Sequence, residues 1–169
     1  MADTPIDDTL EAHLLLLLGE GARGSVATAE SCTGGGVAAR LTRVSGSSAY
    51  VQGGIVAYSN EAKIALLGVA AGIIETRGAV SEECALAMAE GARRAFDVTW
   101  AVSTTGIAGP TGATPTKPVG LVYIAVAGPD GGHCEEHVFP GDRAAVTAAA
   151  TNAALRLLLA QIERGQGRG

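Results

Sequence analysis

The run Ala27-Thr28-Ala29-Glu30-Ser31-Cys32-Thr33-Gly34-Gly35-Gly36 constrains the fold more than any other part of the chain. Small and β-branched residues lead into a carboxylate, a hydroxyl, a thiol and a second hydroxyl. Three glycines follow, and then Val37-Ala38-Ala39 and Leu41. The pattern predicts a buried strand ending at Glu30, a tight turn, and a helix that begins near Gly34. Amides at a helix start point outward at the positive end of the dipole, and glycine lets a ligand come close to the backbone. The turn therefore suits an anion, a phosphate or a developing oxyanion. An ordinary strand-to-helix turn with a hydroxyl cap is the plain alternative. The stacked polar side chains favour the functional reading.

The rest of the chain supplies partners for such a strand–turn–helix unit. A helix is predicted from Thr4-Pro5, with Ile6, Leu10, Leu14, Leu17 and Leu18 at helical spacing and Gly19 and Gly21 ending it. Strand 25–29 and helix 34–42 come next, then a polar loop over 43–49. A strand is expected over 50–58, where Gly53-Gly54 suggests a bulge or a close backbone approach. Asn60 is the expected N-cap of a helix over 61–67 that Gly68 ends, and 73–79 is read as a connection. Ser81, followed by two glutamates, starts a helix that runs to about Phe96. Strand 98–104, a Gly/Pro/Thr-rich loop over 105–118, strand 119–127, a turn at 128–132 and strand 133–139 follow; the last two strands form a hairpin. Asp142 caps a final helix to about Glu163, with Val146, Ala149, Ala153, Leu157 and Ala160 on one face, and 165–169 is a frayed tail. Helices alternating with strands and then a late hairpin predict an α/β fold. The expected form is a three-layer α/β/α sandwich on a mixed, mostly parallel five-stranded sheet, with 1–169 as a single domain.

Composition narrows the function. Apolar residues make up 47% of the 169 and charged ones 17%, which argues against disorder. Aromatics are 4%, the formal net charge is -5 and no Lys/Arg run occurs, so nucleic acid is not an expected partner. Cys32, Cys84 and Cys134 are scattered and odd in number, which points to a reducing compartment and no disulfide framework. The apolar run at 14–18 is too short to span a bilayer and lacks a basic leader, so the expectation is cytoplasmic with no membrane partner. The same run and the Ala-rich last helix offer faces for a homodimer or for the core. His133-Cys134-x-x-His137 has a weak metal spacing, but on a strand the two histidines share one face and the cysteine takes the other. No metal is expected. His13 reads as a helix-face residue.

Lys63 is the most telling charge. It falls in the first turn of its helix, at the positive dipole end, where a lysine is disfavoured. Field and burial both push its pKa down, and a neutral lysine can deprotonate a serine hydroxyl. A solvated surface lysine is the plain alternative. Tyr58 is near enough to relay a proton or hold the amine. Ser48, in the loop before the same strand, and Ser31, in the glycine-rich turn, are the candidate nucleophiles. The 104–110 segment follows a strand directly and lies at the carboxyl edge beside the Glu30 turn, where such sheets bind ligands. Thr105 and the backbone from Gly106 to Gly109 are expected to contact substrate. Arg143 is another cation in a first helical turn, a placement that suits a phosphate.

Ala29-Glu30-Ser31-Cys32-Thr33-Gly34-Gly35, Gly46-Ser47-Ser48-Ala49, Tyr58-Ser59-Asn60-Glu61-Ala62-Lys63, Gly78-Ala79-Val80-Ser81, Gly106-Ile107-Ala108-Gly109-Pro110, Lys117-Pro118-Val119-Gly120 and Gly141-Asp142-Arg143 occur in this order. Together they resemble the CinA C-terminal domain family over nearly the whole chain. The resemblance implies hydrolysis of the carboxamide of nicotinamide mononucleotide, giving nicotinic acid mononucleotide and ammonia in pyridine nucleotide recycling. It also implies a Ser/Lys arrangement without metal or other cofactor, and the stand-alone form of a domain that many relatives join to a molybdopterin-binding-like one. On these residues it implies Lys63 as base with Tyr58 as its aide, and Ser48 as nucleophile. Ser31, Glu30, Thr33, Gly34, Gly35, Thr105, Gly106, Gly109 and Arg143 are implied site residues. Ser31 or Cys32 as nucleophile are the alternatives, the thiol on the ground that a helix start lowers its pKa. The Thr/Pro-rich 111–117 stretch holds no acidic residue and departs from what the family leads one to expect there, with consequences for loop closure or substrate preference. Hydrolysis of another small amide, and nucleotide sensing without turnover in competence or DNA-damage regulation, are the rival functions.

Overall fold

The structure, a computed structural model, describes residues 8–19 and 24–167. The expected helix start at Thr4-Pro5, Ile6, the stop at Gly21 and the last two residues, 168–169, lie outside them. In chain order the elements are α1 (Asp8–Leu18), β1 (Val26–Glu30), α2 (Gly36–Thr42), a 3-10 turn (Ser47–Ala49), β2 (Val51–Val56), α3 (Asn60–Leu67), α4 (Ala71–Arg77), α5 (Glu82–Phe96), β3 (Trp100–Gly106), β4 (Leu121–Gly128), β5 (Gly131–Val138) and α6 (Arg143–Gln166).

The strands form one five-stranded sheet in the order β2-β1-β3-β4-β5. β2, β1 and β3 are mutually parallel, and β4 is antiparallel to both β3 and β5. Only β4 therefore runs against the others, which is the mixed, mostly parallel sheet expected. Side-chain alternation builds the three layers. Val26, Trp100, Val102, Val122, Ile124 and Val126 pack with α1, α2 and α6. Ala27, Ala29 and Ala101 pack with α3 and α5, and Ala125 and Ala127 meet Ala85 and Ala89 of α5. Bulky residues on one face and alanines on the other let α5 lie close to the sheet. Where α5 meets the end of α3, a Cβ on Gly91 would fall 2.0 Å from the Leu67 carbonyl oxygen, so only glycine fits.

Three departures from the sequence reading have local causes. α2 begins at Gly36, not Gly34, because Gly34 (φ 60°) and Gly35 (φ 102°) both take left-handed conformations. Ser59, not Asn60, caps α3: its Oγ accepts from the Ala62 amide at 3.0 Å. The stretch read as a connection holds α4, which has no side-chain cap and no buried residue and carries β-branched Ile73, Ile74 and Thr76 beside Gly72. The glycine pair in β2 coincides with a register shift, Val26 pairing with Val51 but Ala27 with Gly53. α6 is long and apolar enough by length and composition to cross a membrane, but Val146, Ala150, Ala154, Leu155, Leu158 and Ile162 bury its apolar stripe in the core. That stripe is turned from the expected one, since Ala149, Ala153 and Ala160 are only half-buried.

Candidate active site

The parallel pairing of β1 and β2 decides what meets at the carboxyl edge. Glu30 lies opposite Val56, the Ala57 amide donates to the Glu30 carbonyl at 2.8 Å, and the Ser31 amide donates to the Thr104 carbonyl at 2.9 Å. Ser31 thus leaves the sheet between β3 and the end of β2. The Ser59 cap then turns the chain into α3. Lys63 is the fourth residue of that helix, and helical side chains lean toward the N-terminus, here back toward the sheet edge. Its Nζ lies 3.0 Å from Ser31 Oγ, 3.0 Å from the Ala57 carbonyl oxygen and 3.4 Å from that of Tyr58.

Lys63 is 2% exposed and Ser31 7%. All three partners of the amine are neutral. Burial pulls the Lys63 pKa below its ordinary value, and only weak attraction from Cys84, Cys32 and Glu61 opposes this. The geometry suits the neutral amine. Its two N–H groups match the two carbonyls, and its lone pair is left for the Ser31 hydroxyl proton.

The start of α2, expected to receive a ligand anion, is occupied by the chain's own Glu30. That carboxylate accepts from the Val37 amide (2.8 Å), the Ala38 amide (3.0 Å), Thr33 Oγ1 (2.6 Å) and Thr28 Oγ1 (3.3 Å). Thr33 Oγ1 also lies 2.7 Å from Thr104 Oγ1. Glu30 and Thr33 are buried and hold the turn that carries Ser31, and Gly34 and Gly35 shape that turn. None of these four lines the cleft beside Ser31. Thr105 is displaced for a different reason. One residue beyond Thr104, it faces the α5 side of the sheet, where its hydroxyl donates to the Ala79 carbonyl at 2.7 Å.

The cleft itself, of about 210 Å³, is bordered by Ser31, Cys32, Tyr58, Arg143 and the backbone from Gly106 to Gly109. Arg143 Nη1 donates to the Gly109 carbonyl at 2.9 Å, and Nη2 donates to the Tyr58 hydroxyl. Ala108 and Arg143 also border a larger cavity of about 1040 Å³ with apolar walls from Pro110, Val119, Ala144 and Ala148.

Two expected roles are corrected here. The Tyr58 phenol is 59% exposed and bonds Arg143; only the Tyr58 carbonyl reaches Lys63, so the ring is not placed to assist the base. Ser48 is exposed on the 3-10 turn before β2, whereas Lys63 acts beyond the far end of that strand. Six residues of strand separate them, or about 20 Å. Proximity in sequence misled because a strand carries the chain across the whole sheet.

The thiol alternative also fails on its stated ground. Burial, first among its influences, pushes Cys32 up to about 11, and the α2 amides that would favour a thiolate serve Glu30. On β5, His137 Nε2 lies 3.0 Å from Glu135 Oε2, while Cys134 packs on the α5 side against the cluster of Ala85, Ala89, Ala125 and Ala127. The sequence reading did not foresee the carbonyls of Ala57, Tyr58 and Gly109 that orient Lys63 and Arg143. Backbone acceptors leave no residue signature.

Known proteins are similar to this chain in sequence and fold. The family model of the CinA C-terminal domain matches residues 7–162. A CinA-like protein of Anaeromyxobacter sp. (strain Fw109-5) is 54% identical over 138 residues, which are 81% of this chain and 34% of the relative. A putative competence-damage inducible protein of Desulforudis audaxviator is 49% identical over 161 residues, 94% of this chain and 38% of the relative. The chain thus spans about a third of the length of these curated relatives. Among experimental structures, a competence/damage inducible protein from Agrobacterium tumefaciens is 40% identical with a TM-score of 0.84, covering 90% of this chain and 93% of that one. The competence damage-inducible protein A from Klebsiella pneumoniae is 32% identical with a TM-score of 0.87, covering 92% and 96%.

Proposed function

We infer the function from one premise: this chain belongs to the CinA C-terminal domain family. The reading that fits both family and geometry is an amidohydrolase that removes ammonia from nicotinamide mononucleotide. The observation that carries it is the 3.0 Å contact between Ser31 Oγ and a buried Lys63 whose other partners are carbonyls.

Neutral Lys63 takes the Ser31 proton as the oxygen attacks the carboxamide carbon. Backbone amides of the 106–109 segment, which borders the cleft beside Ser31, stabilise the oxyanion. The tetrahedral intermediate collapses, and the protonated Lys63 gives its proton to the departing nitrogen. Water then cleaves the acyl-enzyme, with Lys63 again as base, and nicotinic acid mononucleotide leaves. Arg143 binds the 5′-phosphate and so fixes the ring against Ser31. The larger cavity on its far side leaves room for the rest of the nucleotide.

The test is ammonia release from nicotinamide mononucleotide by the purified chain, with chelator present throughout. Turnover is expected in the wild type and in Ser48→Ala, with kcat/KM in that variant within about twofold, because an exposed serine far from the cleft contributes nothing to it. Ser31→Ala is expected to lose turnover by at least about 10³-fold. A folded wild type that binds the nucleotide but releases no ammonia would overturn the amidohydrolase reading in favour of a nucleotide-sensing module.

A further inference from the structure

We propose that Tyr58 is a positioning residue: its hydroxyl fixes the Arg143 guanidinium at the mouth of the Ser31 cleft, so it governs affinity for the anionic end of the substrate and takes no part in proton transfer. The proposal rests on the amidohydrolase reading of that cleft. Its physical basis is the division of labour between the two ends of one residue. The Tyr58 carbonyl, at 3.4 Å, belongs to the lysine; the phenol belongs to the arginine. A proton relay needs hydrogen-bond reach to the amine or to the nucleophile. Among the described residues the phenol has one such contact, to Arg143 Nη2.

Arg143 needs this support. It sits in the first turn of the 24-residue α6, where the helix dipole disfavours a cation. The adjacent carboxylate does not pair with it, because Asp142 Oδ1 accepts from the Ala145 amide at 2.9 Å to cap the helix. Among the described residues its hydrogen bonds go to two neutral oxygens, one on the loop after β3 and one after β2. A guanidinium carries five N–H donors, so three remain for a ligand. Held at two points, the fork is aimed before the ligand arrives, which reduces the ordering cost of binding. An exposed arginine with only the Gly109 contact would keep its charge but lose its direction. The same tie joins β2, the loop after β3 and α6 around the cleft, so the group that reads the anion is set relative to the group that cleaves the amide.

Tyr58→Phe removes only the hydroxyl, and at an exposed position it leaves the fold intact. For nicotinamide mononucleotide, KM is expected to rise about three- to tenfold, the effect of one hydrogen bond to a charged group at an exposed site. The value of kcat is expected to stay within about twofold of wild type, with its pH profile unmoved. A tenfold fall in kcat, or a displaced profile with KM unchanged, would establish the relay and overturn the proposal. Calorimetric titration with ribose 5-phosphate provides a readout without turnover. Affinity about three- to tenfold weaker in the variant supports positioning, and equal affinity overturns it. Were the wild type to release no ammonia yet bind ribose 5-phosphate in this Tyr58-dependent way, the amidohydrolase reading would fail and the positioning role would stand.

Discussion

Lys63→Met is expected to abolish ammonia release, by at least about 10³-fold in kcat/KM, while the chain still folds. The side chain is nearly as long and is apolar, so it fills the space at the end of β2 without the amine. With no base, the Ser31 hydroxyl keeps its proton at neutral pH. The same variant tests the protonation state on which the mechanism depends. Burial lowers the folded-state pKa of Lys63 below its ordinary 10.5. Between the folded value and 10.5, the unfolded chain holds a proton that the folded chain has released. Wild-type stability therefore rises with pH across that window and carries its full penalty below it. Methionine has no such penalty, but it leaves the Ala57 carbonyl without the amine at every pH. The stability of the variant relative to wild type is thus expected to be more favourable at pH 7 than at pH 10. Urea melts at the two pH values measure this. A relative stability that does not change with pH would remove the lowered lysine, and an ascending limb of kcat/KM centred at or above 10.5 would do so independently.

The sequence reading went furthest where chemistry is local. The alternation of small and β-branched residues into Glu30, the Ser81 start of α5, the Asp142 cap and the hairpin before α6 are all written in neighbouring residues, and the structure has each of them. Lys63 stood out because a cation in a first helical turn is a local anomaly. Partners set by the sheet could not be read in this way. Ser31 lies 32 positions from Lys63, yet parallel register puts it against the amine. Ser48 is closer along the chain and lies at the opposite end of β2. Thr105 and Thr104 differ by one position, and that difference sends one hydroxyl to Ala79 under α5 and the other into the Glu30 network. α4 escaped notice because it buries no residue fully, only Ile73 and Ile74 in part, and so imposes no apolar period on its sequence.

Glu30 shows why a polar residue in a functional stretch need not touch the ligand, and Glu30→Ala is expected to cost the largest stability of any single change at this edge. The truncation removes one acceptor group from two amides and two hydroxyls in a buried setting. Thr33 keeps Thr104 as a partner, but the Val37 and Ala38 amides at the start of α2 lose the carboxylate they face. Each buried donor left unmet costs about 1–3 kcal/mol, and a cavity is added, so the expected loss is about 3–5 kcal/mol. For a chain of this size that lowers Tm by about 10 °C. Glu30→Gln keeps the shape but turns an amide N–H₂ toward other donors, and is expected to lose less, about 1–3 kcal/mol. Urea denaturation of the three proteins measures both differences; a loss under about 1 kcal/mol in Glu30→Ala would mean that other contacts hold the turn. The functional consequence follows from position. Ser31 is the next residue, and its separation from Lys63 is set by the turn that Glu30 ties to α2. Ammonia release by the folded fraction of Glu30→Gln is therefore expected to fall at least tenfold at saturating substrate, because even a 1 Å displacement of a nucleophile from its base is costly. A variant that loses stability but keeps full turnover would separate the two roles, leaving Glu30 a cap on α2 with no hold on the nucleophile.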